Sequence, residues 1–334
     1  MRAIDLHVDW PLQYAAESAA YDPTLYPGVA DRIGQSEGYL GAMTAAVVAI
    51  FRREEDWKAQ ADPWRALDLL IARVEAEFSG RLFRDPIDLV RWRDDTEGMA
   101  WAAIGVEGFD HLILSVDDLP RLETLARRGV LVFQPTYGPS GVLAGSSAAG
   151  DDRGLLDLGV RFLETLAGRG GIAARPVIDL AHLNPRSMGD VLGWFEADPI
   201  RGERLGLVYS HGGVVREGYD VPRAITLDNV ARLRALGGTI GLGVTPPFVG
   251  DANQIVAAVE TIAATPFLGR VGHEGIAVGT DFLGVEATLP GIGTAAEVIG
   301  WFEAGFAPEV ARALLYENAR SLLARAIGGP EASA

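Results

Sequence analysis

The stretch "AIDLHVDWPLQY", residues 3–14, decides between two folds. It is a short apolar run with polar residues at its end, and it continues into "DWPLQY" instead of a glycine-rich turn. Seven similar runs follow: "TAAVVAIF" (44–51), "AWAAIGV" (100–106), "VLVFQ" (130–134), "RPVIDL" (175–180), "LGLVYS" (205–210), "GTIGLGV" (238–244) and "GIAVGT" (275–280). Amphipathic stretches lie between them, among them 63–78, 119–129, 154–170, 226–238 and 252–266. The runs are apolar at nearly every position, as in parallel strands covered on both faces, and Gly follows several helical stretches where a C-terminal cap sits. An open doubly wound sheet shares this local pattern but usually carries a glycine-rich phosphate turn after its first strand. The expectation is therefore an α/β fold, a closed (β/α)8 TIM barrel.

A chain of 334 residues can form one such barrel, and no Pro/Gly/Ser-rich linker or internal repeat divides it, so a single domain over 1–334 is expected. The stretch "GPSGVLAGSSAAGDD" (138–152) reads as a small, flexible loop after the fourth strand. With 49% hydrophobic and 22% charged residues, the composition is that of an ordinary globular protein. A formal net charge of −16 repels a phosphate backbone, which argues against nucleic acid as a partner. No run approaches the roughly 18–20 apolar residues of a spanning helix, and no signal-peptide pattern is seen, so no membrane partner and a cytoplasmic location are expected. Cysteine is absent, which removes disulfides, thiolate nucleophiles and Cys-ligated metals. Any metal must be held by His and carboxylates.

Catalytic groups in barrels come from the C-terminal ends of the strands. The first run ends in His7 and Asp9, the third in Glu107, the fifth in His182, the sixth in His211 and the eighth in Asp281. Taken singly, His7 or His211 is a hydrogen-bonded strand-end histidine, and Glu107 or Asp281 a helix cap. Taken together, three imidazoles and three carboxylates converge on one rim, where burying them unpaired is costly. That donor set suits Zn²⁺ or a similar divalent ion. His7 and Asp9, at i and i+2 on one strand face, can hold one ion; His182 and His211 can hold a second, with Glu107 bridging them. Two such ions lower the pKa of a shared water and polarise a carbonyl. Asp5, read as lying on the same face one layer lower, and Asp179 suit hydrogen-bonding support of the ligands. His111 and His273 read as loop or surface residues. Ser210 beside His211 lacks the G-x-S-x-G elbow, which argues against a serine hydrolase.

These segments resemble the renal (membrane) dipeptidase family of zinc peptidases, within the amidohydrolase-like barrels. "IDLHVDWP" is similar to its D-x-H-x-D-x-P opening, "IGVEG" to G-x-E-G, "VIDLAHLNPRSMGDVL" to its V-D-L-S-H segment, "YSHGG" to S-H-S and "IAVGTDFLG" to G-I-G-S-D-F-D-G. The resemblance implies two zinc ions, one on His7 and Asp9, the other on His182 and His211, bridged by Glu107. It implies that Asp281 holds or delivers the proton that lets the amine leave, and that Arg223, in "RAITLDNVARLRALGG", meets the substrate's terminal carboxylate. Three departures lie where substrate would sit: Tyr137 where some members have a histidine, Gly212 and Gly213 in place of serines, and Leu283 in place of an aspartate. The expected activity is hydrolysis of a dipeptide-like small molecule through a metal-bridging hydroxide. The alternatives are the same site acting on another amide or lactone, or a non-catalytic binding protein, against which the five intact ligand candidates count. A homodimer is a family-level expectation.

Overall fold

Eight parallel strands close on one another in sequence order: β1 (Ile4–Val8), β2 (Ala45–Ile50), β3 (Trp101–Val106), β4 (Val130–Phe133), β5 (Val177–Asp179), β6 (Gly206–Tyr209), β7 (Thr239–Leu242) and β8 (Ile276–Val278). Each falls within one of the eight runs, and β1 pairs with β8 to complete the (β/α)8 barrel. The computed structural model describes residues 1–12, 33–36, 38–95, 98, 100–148, 150–168, 174–216, 219–221 and 223–328. The longer helices are α1 (Pro63–Glu77), α2 (Pro86–Asp94), α3 (Pro120–Arg128), α4 (Asp157–Ala167), α5 (Pro185–Glu196), α6 (Leu227–Ala235), α7 (Ala252–Ala263), α8 (Ala295–Gly305) and α9 (Asn318–Ala326). Five of them lie inside the expected helical stretches; residues 169–170 of the third stretch fall outside the described residues. Side-chain caps set the starts: Asp62 accepts from Arg65 N–H, Asn184 from Ser187 N–H, and Thr294 and Glu297 form a capping box. Among the described residues no helix is long and apolar enough to cross a membrane.

Two apolar clusters divide the core. One joins the outward faces of the strands to the helices, for example Val48, Ile104, Ile178, Tyr209 and Ile240 with Leu67, Val191 and Val259. The other fills the lumen with Leu6, Val47, Ala103, Val177, Val208 and Ala277, and α9 closes it from below with Leu322 and Leu323. This alternation shows which strand residues point inward.

β1 breaks the alternation. Ile4 pairs with Ala45 and Asp5 with Ala46, but Val8 pairs with Val48, so Leu6 and His7 together oppose Val47. This β-bulge turns two consecutive side chains inward and re-aims His7 toward the rim. Asp5 is consequently outside the lumen, not on the face of His7 as the uninterrupted strand period suggested. There it accepts from Tyr39 Oη at 2.7 Å, Thr280 N–H at 2.9 Å and His7 N–H at 3.1 Å, pinning the bulge to the end of β8. Its supporting role is as expected, but it acts through the backbone.

The 138–152 loop is also firmer than its composition suggested. Arg153 donates to the carbonyls of Gly141 (2.7 Å) and Pro139 (2.6 Å) and bonds Asp151, while Ser147 N–H donates to the His182 carbonyl at 2.7 Å. A salt-bridged arginine thus holds this loop together, and the Ser147 N–H ties it to the backbone of a candidate ligand.

Candidate metal centre

The C-terminal ends of the strands bring the six rim residues together, all of them buried. His7 Nε2 lies 2.9 Å from Glu107 Oε2, 3.6 Å from Asp9 Oδ1 and 3.8 Å from Asp281 Oδ1. On the other side, His182 Nε2 lies 3.2 Å from Glu107 Oε1 and 3.0 Å from His211 Nε2. The two carboxylate oxygens of Glu107 therefore serve different histidines. Two donor sets, His7–Glu107–His211 and His7–Asp9–Asp281, each have their ligand atoms within 4.8 Å of one another.

The electrostatics of the cluster favour a cation. Burial lowers the proton affinity of His7, but the charges and hydrogen bonds of Glu107 and Asp9 outweigh it and hold the imidazole well above its ordinary range. Burial raises Glu107, yet His7 and His182 draw it well below the usual carboxylate range. Asp281 is pushed well above that range by burial and by the charge of Asp9. His211 is driven well below the imidazole range by burial and by its neighbours His7 and His182. One imidazole holding a proton tightly among three carboxylates is what a site shaped for positive charge shows. Nitrogen and oxygen donors at this spacing fit divalent ions such as zinc.

The backbone is bent to make the cluster. His182, Asp281 and Leu283 have positive φ, at 65°, 57° and 70°, in the left-handed region that L residues seldom adopt. Such strain collects at functional sites, where the surroundings hold it. Here the surroundings include Asp281 N–H donating to the His7 carbonyl and Asp9 N–H to the Phe282 carbonyl, both at 3.0 Å. Gly284 covers the two carboxylates so closely that a Cβ there would come within 2.1 Å of Asp9 and 2.5 Å of Asp281.

Above the cluster opens a cavity of about 550 Å³, lined by Asp9, Glu107, His182 and Asp281 together with Tyr137 and Arg223. Its size accommodates a small organic ligand. The Tyr137 ring packs against His182 and against Phe51, each at 4.5 Å between centroids. Burial, then the charge of Glu107, raises the Tyr137 phenol, so it remains a hydrogen-bond donor at neutral pH. Arg223 is exposed, and its charge is felt by Tyr137, His182 and Asp281. Of the two histidines set aside, His273 stands away from the cluster beside Glu260 at 3.5 Å. His111 is buried behind Tyr137 and is not a surface residue, because the turn Phe109–His111 tucks it inward.

Sequence reasoning gave Ser210 no role except to reject it as a nucleophile, yet its hydroxyl touches both His7 and His211. The signal was available: Ser210 lies two residues beyond Val208, which faces the lumen, so strand alternation points it inward beneath the site.

An eight-stranded barrel whose strand ends gather imidazoles and carboxylates suits a metal-dependent hydrolase. A model of the membrane dipeptidase family, peptidase family M19, matches residues 1–304, and the chain belongs to that family. No curated protein matches the sequence significantly. Solved structures share the fold over nearly their whole length. The dipeptidase AC, described as a metallopeptidase of family M19, is 18% identical with a TM-score of 0.72, over 98% of this chain and 99% of that one. A metallopeptidase from Rhodobacter sphaeroides, liganded with a phosphinate mimic of the dipeptide L-Ala-D-Ala, is 17% identical with a TM-score of 0.69, over 98% and 99%. The probable dipeptidase PvdM from Pseudomonas aeruginosa is also 17% identical with a TM-score of 0.69, over 98% and 96%.

Proposed function

We propose that the protein is a binuclear, zinc-dependent dipeptidase. His7 and Asp9 would hold one ion and His182 and His211 the other, with Glu107 available to both. The observation that carries this reading is the divided carboxylate of Glu107, one oxygen 2.9 Å from His7 and the other 3.2 Å from His182. When bound, two such ions activate a shared water and polarise the amide carbonyl.

The chain's own residues supply the rest. Arg223 at the cavity mouth anchors the substrate's terminal carboxylate, a task suited to a guanidinium fork. That anchor directs the scissile carbonyl toward Tyr137, whose protonated phenol donates to the oxygen as negative charge develops there. With cations beside it to offset the burial that raises its carboxyl, Asp281 would be ionised, take up the proton lost by water and pass it to the departing nitrogen as the C–N bond breaks. The products are two amino acids, and the water is consumed.

The test combines metal analysis with a panel of L,L and L,D dipeptides, the latter because a structural neighbour holds a mimic of L-Ala-D-Ala. Two zinc equivalents with dipeptide turnover are expected. Fewer than two ions removes the binuclear mechanism. Two ions without dipeptide turnover transfers the site to another amide or a lactone.

A further inference from the structure

We infer that the Ser210 hydroxyl is a positioning residue that fixes the tautomers of two ligand histidines at once, with Asp179 in turn fixing the hydroxyl from beneath. The inference rests on the assignment of His7 and His211 as metal ligands above.

A neutral imidazole binds a cation through the nitrogen that lacks a proton, so its other nitrogen carries the N–H. In both His7 and His211, Nε2 faces the cluster. Each Nδ1 must then be protonated. Ser210 Oγ lies 3.3 Å from His7 Nδ1 and 2.8 Å from His211 Nδ1. A hydroxyl has two lone pairs and one proton. Two incoming N–H groups fill the lone pairs, and the proton must go to a third partner. The carboxylate beside the hydroxyl is Asp179, whose Oδ1 accepts the backbone N–H of Ser210 itself at 3.0 Å. If Ser210 gave its proton to His211 Nδ1 instead, that ring would carry its own proton on Nε2 and could not bind a metal there. In its ionised form Asp179 only accepts, and so directs the hydroxyl away from that wrong arrangement.

The scaffold holds this junction tightly. Asp179 Oδ1 also accepts from the backbone N–H groups of Ser210 and Ala181, both at 3.0 Å, so its position is set by the ends of β5 and β6. Across the lumen, Gly241 and Gly279 approach the Ser210 carbonyl so closely that a Cβ would come within 1.8 and 1.9 Å of it. The two rings themselves lie 3.9 Å apart, close enough for one hydroxyl to reach both. Because His7 and His211 belong to different proposed ions, one serine links the two halves of the centre.

The experiment uses long-range ¹H–¹⁵N correlation spectra of the imidazole rings in zinc-loaded protein, with zinc affinity from chelator competition. Wild type should show Nδ1–H and metal-bound Nε2 for both His7 and His211. Ser210→Ala should lose protection of both Nδ1–H signals and bind zinc about 10- to 100-fold more weakly, with Ser210→Thr restoring most of the affinity. A wild-type spectrum with either ring protonated at Nε2 overturns the inference, and it needs no variant to fold. So does a folded Ser210→Ala protein with wild-type affinity and unchanged ring signals. Wild type that binds no zinc refutes the ligand assignment itself; wild type that binds zinc while Ser210 proves silent refutes this inference alone.

Discussion

The two ends of the barrel bury charge in opposite ways. At the base, the guanidinium of Arg234 is fully buried, and it donates to the carbonyls of Thr265, Glu274 and Gly272, each at 2.8 Å, over the ring of Phe267. Asn318, opening α9, similarly donates to the carbonyls of His273 and Ile276. Each of these donors has a protein acceptor, and the result is a closed floor. At the rim, imidazoles and carboxylates point at one another across a cavity, on a backbone with three left-handed side-chain-bearing residues. The base satisfies its buried charge with backbone, whereas the rim leaves its donor atoms converging on a common space. Internal satisfaction stabilises a fold; convergence calls for a ligand from outside.

If this contrast is right, substitutions at the rim should cost activity and those at the base should cost stability. The largest expected effect is at Glu107: Glu107→Gln should lower kcat/KM on a dipeptide by about 10³-fold or more, since it loses a charge both proposed ions share. Melting within a few degrees of wild type should accompany that loss, and retained activity breaks the rim assignment. Next, Arg234→Met should destabilise the protein by about 3 kcal/mol in denaturant unfolding, because the buried guanidinium's three hydrogen bonds to carbonyls are lost. Zinc content of the folded fraction should not change; a loss of metal without a loss of stability would reverse the roles of the two ends. Smaller is Tyr137→Phe, for which steady-state kinetics should show about a 10- to 100-fold fall in kcat with intact metal content. An unchanged kcat removes Tyr137 from oxyanion stabilisation.

A pH dependence sharpens the comparison within the rim. Asp110 lies behind Tyr137, accepts its N–H at 3.1 and 3.2 Å, and burial pushes its carboxyl up to about 7 from 3.8. The folded state therefore holds the Asp110 proton more tightly than the unfolded chain does. Stability from this group is full at low pH and falls as pH rises from 3.8 to about 7, by at most about 1.4 kcal/mol per pH unit. Asp110→Asn should flatten that slope in melting curves taken across the window, and an unaltered slope contradicts the assignment.

Much of this was legible from the residues, and the exceptions have physical causes. Strands buried on both faces announce themselves by continuous apolar runs, and polar residues at their C-terminal ends gather on one rim by barrel geometry, so His7, Asp9, Glu107, His182, His211 and Asp281 stand together where the sequence indicates. The bulge in β1 was not legible, because period-two reasoning assumes an unbroken ladder, and it misplaced Asp5. The loop 138–152 looked loose from its small residues, yet Arg153, just beyond it, binds the carbonyls of Pro139 and Gly141 among its described residues. Burial of His111 and the double contact of Ser210 are tertiary facts, set by which loops fold over which rings.

The most direct test of the two-metal centre is calorimetric titration of zinc into chelator-treated protein, run in parallel on wild type and Glu107→Gln. The account predicts two equivalents per wild-type chain and fewer than two in the folded variant. A wild-type stoichiometry of one or none, or two equivalents retained without the Glu107 carboxylate, would contradict it.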